Sequence, residues 1–415
     1  MKNNNKIWDV IVVGGGASGM FAASISSSLG KSVLVIDKNK NLGEKLKITG
    51  GGRCNITNNE PDIHKMLSIY GDGAPYLYSP FSVFGVKDTF KYFESRGLPL
   101  VVQARNRVFP ATEKALDVFN ILEKEMKKYH VTIQTNSPVR KINVDGEKVT
   151  SIETNNGLLY AKSFILATGG MSHPETGSTG DGLVWLKDIG HSVKDSSPDI
   201  VPLAVGDDWV KSLAGISLSF MKITFYQDGK KQFSKTGKIL FTHFGLSGPL
   251  ILNSSKKVRE LLESGSVKAY IDAYPDTNEG KLEESIIKVF DNNKNKIFRT
   301  ILKDVVPEGM SKAIELIDTG LDFNMKVHSI TKEDRKKFVK LLKNLPVTVT
   351  NLMGYERAVV ADGGVSLNEL DMKTMSSKLY KNLYITGDLL NINRNSGGYS
   401  LQICWTTGYI AGMSA

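Results

Sequence analysis

The segment from Asp9 to Gly19, DVIVVGGGASG, constrains this chain more than any other. Asp9 to Val13 is an apolar, β-branched run, which reads as a strand buried on both faces. Gly14, Gly16 and Gly19 follow at once, Met20 to Leu29 is a small-residue helix closed by Gly30, and Ser32 to Ile36 is a second buried strand ending on Asp37. Strand, tight turn, helix and strand in about 30 residues make a βαβ unit. Each part has a mechanical task. Gly14 permits the turn, Gly16 lets backbone approach a pyrophosphate, and Gly19 lets helix and strand pack closely. The pyrophosphate rests on the helix N-terminus, whose free N–H groups favour an anion. Asp37 can accept both ribose hydroxyls, and its charge repels a 2′-phosphate.

At 415 residues the chain is long enough for two or three domains. Val86 to Arg96 and Ala115 to Tyr129 read as amphipathic helices. Val139 to Tyr160 reads as an antiparallel ribbon turned at Asp145-Gly146 and Asn155 to Gly157, and Ser163 to Ala167 as a third buried strand stopping at Thr168-Gly169-Gly170. From 198 to 254 short β-like runs alternate with glycine turns, which predicts a β-rich domain. From 255 to 345 the chain is lysine-rich and helix-periodic, with a capping-box pattern at Thr331 to Asp334, which predicts a helical subdomain. Asn382 to Thr386 is a last buried strand.

Two cysteines, Cys54 and Cys404, lie 350 positions apart, which argues against a dithiol enzyme or a cysteine-ligated zinc site. The six histidines form no H-x-x-x-H pair, so no metal is expected. No signal-peptide pattern and no membrane-length apolar run appears, which points to the cytoplasm. The net charge of +10 suits an anionic ligand, but the lysines are scattered in pairs and no nucleic-acid-reading module is evident. Nucleic acid is therefore not the expected partner.

An NAD site is completed within one Rossmann domain, whereas FAD lies extended and needs a distant segment to reach its flavin. This chain offers one. Strand 382 to 386 runs into Gly387-Asp388, and Gly397-Gly398 opens an apolar helix from Tyr399 to Ala411. An acid at a strand end can hold ribitol hydroxyls, and a bare helix N-terminus can face the flavin edge that becomes anionic on reduction. A second glycine-rich loop, LKITGGGRCNITN at 46 to 58, suits the same end. Gly50, Gly51 and Gly52 let amides approach a flavin or phosphate, Arg53 adds a fixed cation, and Asn55, Thr57 and Asn58 can bond backbone or ring atoms. Cys54 reads as a small buried residue, having no resolving cysteine nearby.

VIVVGGGASG, GEKLKITGGGRCNITN, NRVFPATEKALDV, ILATGG, STGDG, LFTHFGLSGP, MKTMSSKLYKNLYITGD and NSGGYSLQICWTTGYIAG, in that order, resemble the bacterial flavoprotein family that includes the 3-dehydro-bile-acid delta-4,6-reductase and aminoacetone oxidase. The resemblance spans nearly the whole chain. It implies an α/β fold with a Rossmann-type FAD domain formed by both chain ends, 1–197 and 346–415, into which the β-rich domain 198–254 and the helical subdomain 255–345 are inserted. It also implies the FAD contacts: Gly14, Gly16, Ala17, Ser18 and Gly19 for the pyrophosphate, Asp37 and Lys38 for the ribose, and Lys45 with Gly50, Gly51, Gly52, Arg53, Cys54 and Asn55 near the flavin. Val139 is implied at the adenine, with Thr168, Gly169, Asp388, Gly398, Tyr399, Ser400 and Leu401 completing the set. The chain departs from the family pattern where Asp37 and Asp388 replace glutamates, where Asn391 and Asn393 replace acids, and where Ser400 replaces asparagine.

Tyr399, His243 and Arg53 are the catalytic candidates, and Arg105 and Arg107 could hold a substrate carboxylate. The expected activity is an FAD-dependent oxidoreductase acting on a small molecule, as a monomer or homodimer. Its leading form is reduction of an activated C=C bond of the enone, bile-acid or steroid type, and the alternative is oxidation of a small amine with peroxide formed. With no second G-x-G-x-x-G, any NAD(P)H donor must visit the flavin transiently. From other classes, a flavin-containing RNA-associated protein would suit the +10 charge, and a non-catalytic flavin sensor is the remaining possibility.

Overall fold

Strand Ile7–Val13 holds the centre of a parallel sheet, because Val10, Ile11 and Val12 are fully buried and leave it no solvent face. Val33–Ile36 flanks it on one side and Gly157–Leu166 on the other, with Val12 opposite both Val35 and Ile165. Thr132–Gln134 lies beyond the first neighbour and Leu383–Ile385 beyond the second. The last strand of the chain thus completes the sheet begun by the first. Val139–Asp145 and Lys148–Thr154 form an antiparallel ribbon on Gly157–Leu166.

The structure, a computed structural model, describes residues 6–415 and divides into two compact units, Met1–Pro198 with Ala358–Ala415, and Asp199–Arg357. In the first, helix Tyr399–Ser414 is apolar nearly all round and correspondingly buried. It packs on helix Ala17–Ser28 through small residues: a Cβ at Gly408 would stand 2.8 Å from the Ser18 carbonyl oxygen, and one at Gly412 2.7 Å from that of Ala22. Phe21 fills the junction, edge-on to Phe84, Tyr92 and Trp405. Each such buried ring stabilises the fold by about 2–3 kcal/mol.

The second unit is a closed six-stranded barrel in the order Leu203–Val205, Gly245–Ser247, Lys230–Thr242, Ser217–Gln227, Val267–Asp272, Leu345–Leu352. Segments 198–254 and 255–345, expected as separate bodies, therefore fold as one. Val267, Ala269 and Ile271 are buried while Lys268, Tyr270 and Asp272 alternate with them, a period-two pattern hidden among lysine-rich helices. Leu345–Leu352, expected in the FAD domain, closes the barrel instead. Helices Glu279–Asp291 and Lys332–Lys343 also belong to this unit, and Thr331 Oγ1 caps the latter by accepting from Asp334 N at 3.1 Å. Among the described residues, no helix is long and apolar enough to cross a membrane, and no cluster of His, Cys, Asp and Glu is arranged to hold a metal.

Candidate functional site

The predicted phosphate end is assembled at the carboxyl edge of the parallel sheet. Gly14 has φ +101°, and a Cβ there would meet the Ala167 carbonyl oxygen at 2.5 Å; one at Gly19 would overlap the Gly14 carbonyl. Gly16 differs. It caps helix Ala17–Ser28 with no side-chain hydrogen bond, and nothing lies within 4 Å of the space its Cβ would fill. Two buried hydroxyls, Ser18 Oγ and Thr168 Oγ1, have no hydrogen-bond partner. An uncapped helix start with open space beside it is what a bound phosphate completes. The residues present therefore fit the pyrophosphate of a dinucleotide.

Asp37 first serves the loop itself: Oδ2 accepts from Gly15 N at 2.7 Å and Oδ1 from Asn39 N at 2.8 Å. Burial raises its carboxyl above the ordinary range against these donors, and each oxygen keeps a lone pair for a ribose hydroxyl. Lys38 bonds Asp181 Oδ2 at 2.8 Å and also Thr179, so its ammonium is already tied to the STGDG segment. Gly182 of that segment is bare because a Cβ would overlap Thr168 Oγ1. Gly169, at φ +74°, follows Thr168, and Val139 sits half-buried at the start of its ribbon, opposite Thr154.

The expected flavin end is stitched together from segments far apart in the sequence, residues 50–58 and 397–405. Gly50, Gly51 and Gly52 all take positive φ, as does Cys54, so the loop coils tightly, with open space at Gly51 and Gly52. Thr57 Oγ1 donates to Gln402 Oε1 at 2.6 Å, Trp405 Nε1 to the Ile56 carbonyl at 3.0 Å, and Asn58 Nδ2 to the Gly397 carbonyl at 3.0 Å. Asn55, its amide turned to suit its neighbours, donates to the Thr57 and Val108 carbonyls and accepts from Gly398 N at 3.0 Å. The Gly398 N–H expected to face the flavin is thus used within the protein. Gly398 itself has φ +100°, and any Cβ would overlap the Thr57 carbonyl. Helix Tyr399–Ser414 begins there without a side-chain cap, which leaves the first turn, Tyr399, Ser400 and Leu401, as the anion-favouring end.

One residue escaped the sequence reading. Arg394, 4% exposed, donates from Nε to Ser400 Oγ at 2.8 Å and from Nη1 to the Ile392 carbonyl at 2.7 Å, and its Nη2 pairs with Asp388. Lys45 Nζ approaches the other Asp388 oxygen at 3.4 Å and bonds Ser172 Oγ at 2.9 Å. Burial pushes the Asp388 carboxyl up, but Arg394 and Lys45 together overcome it and hold the group below the ordinary range. Its signal was available: Arg394 is the sole charge between Asp388 and residue 415. Buried charges require partners, so a lone arginine in such a segment points to the preceding acid.

The catalytic candidates separate. Tyr399 lies edge-on to Tyr70 with ring centroids 6.0 Å apart, and burial raises its phenol above the ordinary value. Arg53 lies over the Phe109 ring and bonds Gln103 at 2.8 Å and Glu113, so its charge is already met. His243 belongs to the second unit, at the exposed turn between strands Lys230–Thr242 and Gly245–Ser247, its ring edge-on to Phe244. Arg105 is exposed at φ +63°, and Arg107 bonds the Ala104 carbonyl at 3.1 Å. Cys54 is fully buried and its thiol pushed far up; burial likewise raises Cys404 to about 12, so neither supplies a thiolate.

Known proteins share this architecture. The chain is 30% identical over 410 residues to the ribosomal RNA dihydrouridine synthase of Haemophilus influenzae, covering 97% of each chain. It is 26% identical over 408 residues to the 3-dehydro-bile acid delta(4,6)-reductase of Clostridium scindens, covering 97% of this chain and 98% of the relative. The 3-ketosteroid-delta4-(5alpha)-dehydrogenase of Rhodococcus jostii RHA1 has a similar fold, with a TM-score of 0.56 at 14% identity over 100% of this chain and 98% of that one. The family described as HI0933-like protein Rossmann domain matches residues 8–414, and the chain belongs to that family.

Proposed function

We propose that this protein is an FAD-dependent oxidoreductase that saturates a carbon–carbon double bond conjugated to a carbonyl, and that the bond belongs to a uracil base in RNA. The observation that carries the redox reading is the charged trio Lys45, Asp388 and buried Arg394 beside the uncapped start of helix Tyr399–Ser414. Two cations against one anion, added to a helix N-terminus, favour negative charge on a ring held there. When bound, FAD would supply hydride chemistry for one carbon of the bond, with the electron pair drawn from NAD(P)H as the co-reductant. A proton must reach the other carbon. Tyr399, kept protonated by burial, gives it from its hydroxyl. Asp388 orients the ribityl chain, and Arg394 fixes Asp388 and Ser400 relative to each other.

The choice of bond rests on a chemical feature common to the relatives' names. Dihydrouridine is uridine with C5=C6 saturated, and that bond is conjugated to the C4 carbonyl; a 3-oxo delta(4,6) bile acid presents the same grouping. RNA is favoured by the net charge of +10 and by the 30% identity to the Haemophilus protein. A fused-ring enone is the second reading, supported by the Clostridium relative.

The test begins with anaerobic reduction of the flavin. Holoenzyme reduced with NADPH is mixed with unmodified ribosomal RNA, with a 3-oxo-4-ene steroid, or with air. The proposal expects RNA to reoxidise the flavin while a uridine gains two hydrogens by mass spectrometry. Reoxidation by the steroid alone would transfer the proposal to the second reading, and reduction only by amines with peroxide formed in air would overturn both.

A further inference from the structure

Strand Ser217–Gln227 of the second unit contains a bulge with an unusual occupant. Leu218 pairs with Ile239 and Met221 with Gly237, so Ser219 and Phe220 together face Lys238. Phe220 has φ +58° and is 73% exposed. A bulky side chain in that backbone region costs about 1–3 kcal/mol, and an exposed ring returns none of it through burial. Neither the core nor the turn geometry requires phenylalanine here.

Its surroundings are predominantly basic, with Asp272 opposite Lys222. Met221, Ile223 and Phe225 are buried in the barrel, which places Lys222, Thr224 and Tyr226 on the opposite face. On that face Tyr226 stands between Lys231 on one neighbouring strand and Lys268 on the other, and it meets Tyr270 edge-on at 5.4 Å. The face's acid, Asp272, is taken by Lys343 at 2.7 Å, and Asp228 lies at the hairpin tip. Among the described residues, Lys222, Lys231, Lys238 and Lys268 make no ion pair. Lys235 shows the contrast: it bonds the Asn253 carbonyl and serves the fold.

We propose that this strand face is a docking platform for single-stranded RNA, with Phe220 stacking on a base and Lys222, Lys231, Lys238 and Lys268 meeting phosphates. Aromatic rings interleaved with unpaired cations are how proteins hold single strands without base-edge readout. Residues 220 to 226 extend for about 20 Å along the strand, enough for several nucleotides. The inference rests on the RNA reading above and adds a surface to it.

Fluorescence anisotropy of a labelled, unstructured uridine-rich RNA on FAD-loaded protein tests it. Phe220→Ala should weaken binding by roughly 5- to 150-fold, Phe220→Trp should restore it, and Lys222→Gln with Lys238→Gln should flatten the salt dependence by about 1.4 in log–log slope. NADPH-driven flavin reduction, unchanged in all variants, reports that they fold. Salt-sensitive binding by the wild type with no change in any variant would overturn the platform and leave the RNA reading standing. No binding by the wild type would overturn both.

Discussion

The two ends of the proposed cofactor site are built in opposite ways. At the phosphate end, Gly14, Gly16, Gly19 and Asp37 lie within one βαβ unit, and the loop is closed by Asp37 reaching back to Gly15. At the flavin end, residues 55 to 58 are bonded to residues 397 to 405, more than 330 positions away. The first is mostly a local device, built on its own helix and strands with the end of strand Gly157–Leu166 closing against Gly14. The second exists only when the whole unit is folded, so its residues serve stability and ligand at once. Damage there should reach the fold, whereas damage at Gly16 should reach only the ligand.

The largest expected effect is at Arg394. Arg394→Ala strands Asp388 as a buried, half-paired charge and should cost about 3–5 kcal/mol in the apoprotein, read by denaturant unfolding. Next comes a pair of glycines. Gly398→Ala sets a Cβ against the Thr57 carbonyl at positive φ and should cost the apoprotein about 2–4 kcal/mol. Gly16→Ala places its methyl in open space at an extended φ, and should cost about 1 kcal/mol or less while weakening FAD binding roughly tenfold or more. Equal stability losses in the two glycine variants would dissolve the contrast. Tyr399→Phe should retain FAD and stability while kcat falls about 100-fold; an unchanged kcat removes the proton-donor role.

The smallest effect is in acid. The Asp388 carboxyl is held below its ordinary value when folded, so its stabilisation is fully present above the unfolded value of about 4 and is lost as pH falls through the folded one. Apoprotein stability should decline below about pH 4, with a shallower slope in Asp388→Asn.

The same contrast explains what was legible. The βαβ unit could be read because each glycine's steric reason lies within the motif or at the next strand end, as with Gly14 against Ala167. Gly397-Gly398 and the triple glycine were visible as backbone requirements, but Asn55 as the partner of Gly398 was not, since register between segments that distant is set by tertiary packing. Arg394 carries no motif of its own, and its partners Asp388 and Ser400 are set by how the chain folds back after residue 388. The barrel was obscured because Val267–Asp272 is a short alternating strand between long lysine-rich helices, where a period of two is easily outweighed by the surrounding period of 3.6. His243 is a candidate on side-chain chemistry alone, and nothing in its local pattern reveals an exposed hairpin turn in the other unit.

A crystal structure of the FAD-bound protein tests the central claim most directly. The account predicts the pyrophosphate over the first turn of helix Ala17–Ser28, the ribityl chain within hydrogen-bonding distance of Asp388, and the ring beside residues 50–55 and 398–401. A ring lying away from both of those segments, with Asp388 bonded only to Arg394 and Lys45, would contradict it.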